Sequence, residues 1–183
     1  MLKKFPSFGG VPLIAVITNE TLGLPLPKDS AIQIRRLAAR IFVRDESGKI
    51  PVLFTEKHGH HKIPGGGVEN KESPVLAAER EALEEAGAIV KVDSVPIAKI
   101  LEIKSDDKTE QLSLLYTGVL INKNKGVNFT AAEVGEGYTG AVWVDEATAL
   151  DLFNKDRPKT YMGKFMHARD LKFLEYAIAR SQE

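Results

Sequence analysis

Residues 80 to 87 read Arg-Glu-Ala-Leu-Glu-Glu-Ala-Gly, so three carboxylates, Glu81, Glu84 and Glu85, fall within five residues. On a helix at about 100° per residue, these three gather within an arc of roughly 100°. Val75, Leu76, Ala78, Ala82, Leu83 and Ala86 gather on the other side, with Glu79 as an exception among them. Hard oxygen donors on one rigid face suit Mg2+ or Mn2+, which keep part of their water and bridge to phosphates. The competing reading is a solvated face, with Arg80 and Glu84 paired four residues apart. Against it, the interval from Glu69 to Glu85 holds six acids and two bases. Glu81 and Glu85, also four apart, repel each other unless a cation lies between them.

The elements that must hold these groups are legible around them. Ser73 is an N-cap, Pro74 suits the first helical position and Gly87 can end the helix, which predicts a helix over 74–86. The preceding stretch HKIPGGGVENKE reads as a loop by its glycine content. Upstream, RRLAARIFVRD and IPVLFTEKHG flank a polar turn with Gly48 and read as a hairpin. Further strands are expected at 90–104, 112–121 and 140–144, and helices at DEATALDLF and KFMHARDLKFLEYAIARS. Strands and helices mix without strict alternation, which predicts a mixed α/β or α+β sandwich.

Read from Gly66, five residues lead to Glu72, seven more lead to Arg80 and Glu81, and Glu84, Glu85 and Gly87 follow in register. This resembles the signature of the Nudix hydrolases, G-x5-E-x7-R-E-U-x-E-E-x-G-U, with U a bulky apolar residue. The sequence departs from it mildly: alanine stands at both bulky positions, Ala82 and Ala88, Lys71 stands where glycine is common, and His61 where an aromatic is common. The resemblance implies a mixed β-sheet between helices, the Nudix fold, over residues 34–183. Residues 1–33 are left as an N-terminal arm, a strand or a dimer contact. It also implies hydrolysis of a nucleoside diphosphate linked to a group X. Glu81, Glu84 and Glu85 are then the expected ligands of Mg2+, with Mn2+ as substitute. Glu84, Glu85 and Arg80 are expected in catalysis, Arg80 as a clamp on carboxylates. Gly65, Gly66 and Gly67, Glu72 and His61 are expected around the substrate, the glycines because they let the backbone approach closely. A further glutamate is expected from EVGEG: Glu136 as a catalytic group, Glu133 beside the substrate. Because like charges on neighbouring turns repel, neutralising Glu84 or Glu85 is expected to leave the metal-free fold no less stable.

The chain as a whole narrows the partners. It has 183 residues, with 25 basic against 25 acidic side chains and no cysteine. The balance gives no general pull towards nucleic acid or an anionic membrane, and the missing cysteine removes disulfides, thiolate metal sites and cysteine nucleophiles. No apolar run approaches a membrane span, and Pro6, Gly9, Gly10 and Pro12 interrupt the one stretch that imitates a signal peptide. A cytoplasmic protein is expected. Within the class the resemblance implies, a small nucleotide is the expected substrate: a nucleoside triphosphate, a nucleotide sugar such as ADP-ribose, or a dinucleotide. The alternatives are removal of pyrophosphate from RNA 5′ ends and a non-catalytic nucleotide sensor. The N-terminal arm could swap across a homodimer. His58, His60 and His61 are expected at the site mouth or in water, and Trp143 in the core.

Overall fold

A computed structural model describes residues 4–123 and 125–181; the first three residues of the expected arm and the last two of the expected domain lie outside them. The strands are β1 (Leu13–Thr18), β2 (Ile34–Phe42), β3 (Ile50–Thr55), β4 (His60–Lys62), β5 (Gly65–Gly67), β6 (Ile89–Val92), β7 (Ala98–Lys104), β8 (Thr109–Asn122) and β9 (Val142–Val144). The helices are α1 (Pro74–Ala86), α2 (Ala131–Gly135), α3 (Glu146–Lys155) and α4 (Tyr161–Arg180). The main sheet runs β1-β7-β8-β2-β5, with β6 continuing against the far half of β8, and β4-β3-β9 form a second, smaller sheet. β1 and β2 run parallel to β7 and β8 while the remaining pairs are antiparallel, so the sheet is mixed. The fold is the expected α/β (α+β) sandwich. Among the described residues no helix is long and apolar enough to cross a membrane.

Two expectations are corrected. The turn at Gly48 forms, with Asp45 accepting the N–H groups of Ser47 and Lys49 at 2.8 and 2.9 Å, but it joins no hairpin. β2 pairs with β8 in unbroken register from Ile34 to Phe42 and with β5, whereas β3 pairs with β4 and β9. A tight turn fixes only the reversal; both ladders of β2 are already taken by strands remote in sequence. The expected loop at 61–72 is likewise partly ordered, as the end of β4 and the glycine strand β5.

Strand alternation sorts the sheet's two faces. Ala39 and Ile41 on β2 and Leu112, Leu114 and Tyr116 on β8 meet Ala77, Ala78, Ala82 and Ala86 of α1 in one dry cluster. The small alanines let the helix lie close on the sheet. On the other face Phe42, Ile100 and Leu115 meet Phe165, Phe173 and Leu174 of α4, together with Phe153 of α3. Full burial of each such side chain is worth roughly 1.5–3 kcal/mol, enough to seat α4 firmly. Further along the same strands that face turns polar, with Arg40, Glu102, Gln111 and Ser113 all buried. Trp143 packs half-buried against the α1 cluster, and Lys123 lies 5.1 Å above its ring.

Candidate active site

Helix α1 is built as its sequence prescribes. The Ser73 side chain accepts from the Leu76 N–H, Pro74 sits in the first turn, and Gly87 closes the helix at φ 58°. Its charge pattern is the reverse of a solvated face. Glu81 and Glu85 are buried, whereas Leu76 and Leu83 are 54% and 41% exposed. The helix buries alanines and glutamates because the glutamates point into a cleft rather than into water. Glu79, the exception on the apolar side, accepts the Val92 N–H at 3.2 Å and so ties α1 to β6.

The glycine strand β5 runs across this cleft. A Cβ at Gly66 would stand 2.1 Å from Glu81 Oε1, and one at Gly65 would stand 2.3 Å from the Ala39 carbonyl oxygen, with φ there at +145°. Only glycine admits both the close approach of the carboxylate and that backbone conformation. The Gly65 N–H donates to Glu85 Oε2 at 2.9 Å. Lys62, on β4, pairs with the other oxygen of Glu85, donates to the Gly65 carbonyl at 3.1 Å, and lies 4.7 Å above the Tyr138 ring.

Arg80 organises the outer side. Its Nε and Nη2 meet Glu72 at 3.0 and 3.2 Å, Nη1 meets Glu81 and Glu84 at 2.9 and 2.8 Å, and Nη2 donates to the Gly67 carbonyl at 3.1 Å. One planar cation thus fixes three carboxylates and the glycine strand. Glu72 holds the guanidinium more firmly protonated than usual, and Arg80 in turn holds the Glu72 carboxyl below its ordinary range.

Oxygens of Glu81, Glu85 and Glu133 all lie within 4.8 Å of one another. Glu133 comes from α2, where its Oε2 also closes a capping box on the Thr130 N–H at 2.7 Å. Burial pushes the Glu85 carboxyl up to about 7 against the attraction of Lys62, and neighbouring Glu81 adds to the push. A group so placed gains from a cation. Two buried carboxylates and one half-buried one, all hard oxygen donors, therefore fit a divalent ion of the Mg2+ or Mn2+ type.

The expected site residues divide. Gly65, Gly66, Gly67, Glu72, Arg80, Glu81, Glu85 and Glu133 are brought together. Glu84 reaches the same hollow from its outer side, beside Glu69, Arg80 and Thr130. Glu136 borders the larger cleft, outside the converging triad, with Lys57 and His58 each 3.6 Å from its carboxylate. His61 is turned away: its backbone N–H and its Nδ1 meet the Asp156 carboxylate at 2.6 and 2.8 Å. Of its neighbours, His58 lines the cleft and bonds Thr160 at 2.6 Å, whereas His60 is wholly buried with both ring nitrogens unpartnered.

The larger cleft, about 510 Å3, is bordered by Glu85, the three glycines, Glu133, Glu136 and Tyr138, and by Tyr161, Met162 and Met166 of α4. It also meets Arg36, Arg40, Lys62, Lys104, Gln111 and Arg169, none of which the sequence reading singled out. The available signal was parity: Arg36, Ala38 and Arg40 share one face of β2, as Gln111 and Ser113 share one face of β8.

The family model described as NUDIX domain matches residues 34–162. No curated protein matches the chain. Among solved structures, a NUDIX hydrolase from Nitrosomonas europaea is similar at 16% identity and TM-score 0.53, over 74% of this chain and 88% of that one. A MutT protein from Methanosarcina mazei Go1 is similar at 14% identity and TM-score 0.53, over 82% of this chain and 98% of that one. A MutT NUDIX hydrolase from Burkholderia pseudomallei gives 19% identity and TM-score 0.54, over 78% and 98%. At these identities the likeness to the three structures is one of fold.

Proposed function

The chain belongs to the NUDIX family and is a hydrolase of pyrophosphate bonds, and from that premise we propose that it cleaves a small nucleotide of the form nucleoside diphosphate linked to X, using Mg2+ or Mn2+. Nucleoside triphosphates, nucleotide sugars such as ADP-ribose, and dinucleotides fall within this class. The observation that carries the reading is the convergence of Glu81, Glu85 and Glu133 on one point beside the glycine strand.

In this reading Glu81, Glu85 and Glu133 hold the ion, and Glu84 meets it from the outer hollow. When bound, the ion offsets the charge of the pyrophosphate and acidifies the attacking water. Arg80 keeps Glu72, Glu81 and Glu84 in fixed orientation. Lys62 and the Gly65 N–H fix both oxygens of Glu85. Glu136, with Lys57 and His58 each no nearer than 3.6 Å, is the carboxylate free to accept the proton of the water. The bare backbone at Gly66 and Gly67 lets a phosphate chain lie against the strand.

The test is a panel of nucleotides incubated with Mg2+ in 18O-water. Products of pyrophosphate cleavage should carry one labelled phosphate, activity should stop with EDTA and return with added metal, and a simple phosphomonoester should survive. Undiminished turnover in excess EDTA would refute the metal role, and unlabelled phosphate products would refute attack at phosphorus.

A further inference from the structure

Beyond the glycine strand the cleft ends on a buried floor of cations. Arg40 is 4% exposed, Lys104 2% and Arg169 1%, and all three border the cleft. They come from β2, β7 and α4, and two buried carboxylates, Glu102 and Asp170, answer them. Arg169 Nε meets Asp170 at 2.7 Å and its Nη1 stands 3.4 Å from Glu102. Lys104 Nζ stands 3.3 Å from both Glu102 Oε1 and Gln111 Oε1.

Arg40 is left incompletely served. Its Nη1 donates to the Ala39 and Gly66 carbonyls at 2.9 and 3.1 Å. Its Nε lies 3.6 Å from Asp170, too long for a hydrogen bond, and has no hydrogen-bond partner. Three buried cations thus face two buried carboxylates, with one guanidinium donor unused. A buried charge without a counter-charge is costly, and an arginine fork beside a lysine is the arrangement that captures a carboxylate or phosphate. A structural ion-pair cluster would balance its charges. This one is in surplus where it borders a cleft of ligand size.

We infer that the floor of Arg40, Lys104 and Arg169 is a subsite for an acidic group carried by X, a carboxylate or a phosphate ester remote from the scissile pyrophosphate. The inference rests on the proposed pyrophosphohydrolase reading and narrows its substrate class. A substrate lies with its pyrophosphate along β5 and the ion, and its far end reaches the cation floor through Arg40, which is bonded to the Gly66 carbonyl at the junction. Nucleotides with a neutral X leave the surplus charge unmet and are the poorer substrates.

Two matched pairs test this with the wild-type protein: UDP-glucose against UDP-glucuronate, which differ in one carboxylate, and NADH against NADPH, which differ in one phosphate. The acid-bearing member of at least one pair should show kcat/KM at least tenfold higher with Mg2+. The same preference should appear in calorimetric binding in EDTA, where turnover is absent. Lys104→Gln, which balances the cluster, should bring the preference down towards one; Arg40→Lys, which keeps the charge and removes the fork, should weaken it less. Because the readout is a ratio within one variant, damage common to both substrates cancels. Equal binding of both members in both pairs, or binding of none, overturns the subsite. Preferential binding without hydrolysis overturns the hydrolase reading and leaves the subsite standing, whereas hydrolysis without preference does the reverse.

Discussion

Two charged clusters meet across the glycine strand, and they are unbalanced in opposite senses. Around α1, five carboxylates (Glu72, Glu81, Glu84, Glu85 and Glu133) face two cations, Arg80 and Lys62. On the other side of β5, Arg40, Lys104 and Arg169 face Glu102 and Asp170. Burial makes either surplus expensive, and on the proposed readings the first cluster receives a cation and the second an anion. The clusters also differ in solvent access. Arg80 and Glu84 keep a quarter of their side chains exposed, while Arg169 and Asp170 are essentially sealed. The same kind of ion pair therefore carries a different energetic weight in each place.

The largest effect tests the sealed cluster. Burial alone would raise the Asp170 carboxyl, yet Arg169 and Arg40 hold it below its ordinary value. Asp170→Asn removes one of the two counter-charges and should cost about 3–5 kcal/mol of stability, read by denaturant unfolding at neutral pH. A loss under about 1 kcal/mol would mean that Glu102 alone compensates the floor, and the contrast between the clusters would collapse.

His60 reports on the same region. Burial, helped by nearby Arg169, lowers its pKa to about 4, although Asp170 pulls the other way. With an unfolded value near 6.5, the folded state keeps the ring neutral while the unfolded chain takes up a proton. Its contribution is present above pH 6.5 and is lost as pH falls towards 4, by about 3 kcal/mol in all. His60→Phe should flatten the stability profile in that window. An unchanged slope would show that His60 does not set it.

The acidic cluster is tested through chemistry. Glu81→Gln keeps the shape and removes one charge from the converging triad. Activity should fall at least ~10²-fold, about 2.7 kcal/mol of barrier, and the thermal shift produced by Mg2+ should shrink because ligand stabilisation follows affinity. Parent-rate turnover would break the assignment of the cluster to a cation.

How much of this was legible in the sequence follows the same divide. The acidic cluster sits in one continuous run, so α1, its caps, the glycines and the glutamates could all be read from spacing. Glu133 was named beside the substrate and its capping box with Thr130 is local, but its place in the triad needed the fold that brings α2 towards α1. The cation floor was not read because β2, β7 and α4 each contribute only one or two charged residues to it, and these look like solvated ones in the sequence. Only the parity of polar residues within buried strands marks them. The hairpin expectation failed for a related reason: a turn is local, and the partner of β2 lies 75 residues downstream at β8, Ile34 opposite Thr109.

The smallest expected effect, at Glu84, stands beside a larger one at Glu85, two adjacent residues that the sequence treats alike. Repulsion along the helix predicts no loss of metal-free stability for either Glu84→Gln or Glu85→Gln. The structure divides them. Glu84 is paired with Arg80 at 2.8 Å on a wetted rim, and Arg80 keeps Glu72 and Glu81 when that pair goes. Such a pair is worth at most about 1 kcal/mol, so Glu84→Gln should move the metal-free melting point by only a few degrees. Glu85 is sealed against Lys62, the two side chains being 1% and 2% exposed, and its loss leaves a buried ammonium without a counter-charge. Burial and Glu81, which raise the Glu85 carboxyl, offset part of this cost, so Glu85→Gln should cost about 3 kcal/mol, still more than Glu84→Gln, and Lys62→Met placed on top of it should recover part of the loss by removing the stranded charge. Equal melting points for the two single variants in EDTA would show that Lys62 does not depend on Glu85, and that helix-surface repulsion is a sufficient account of both.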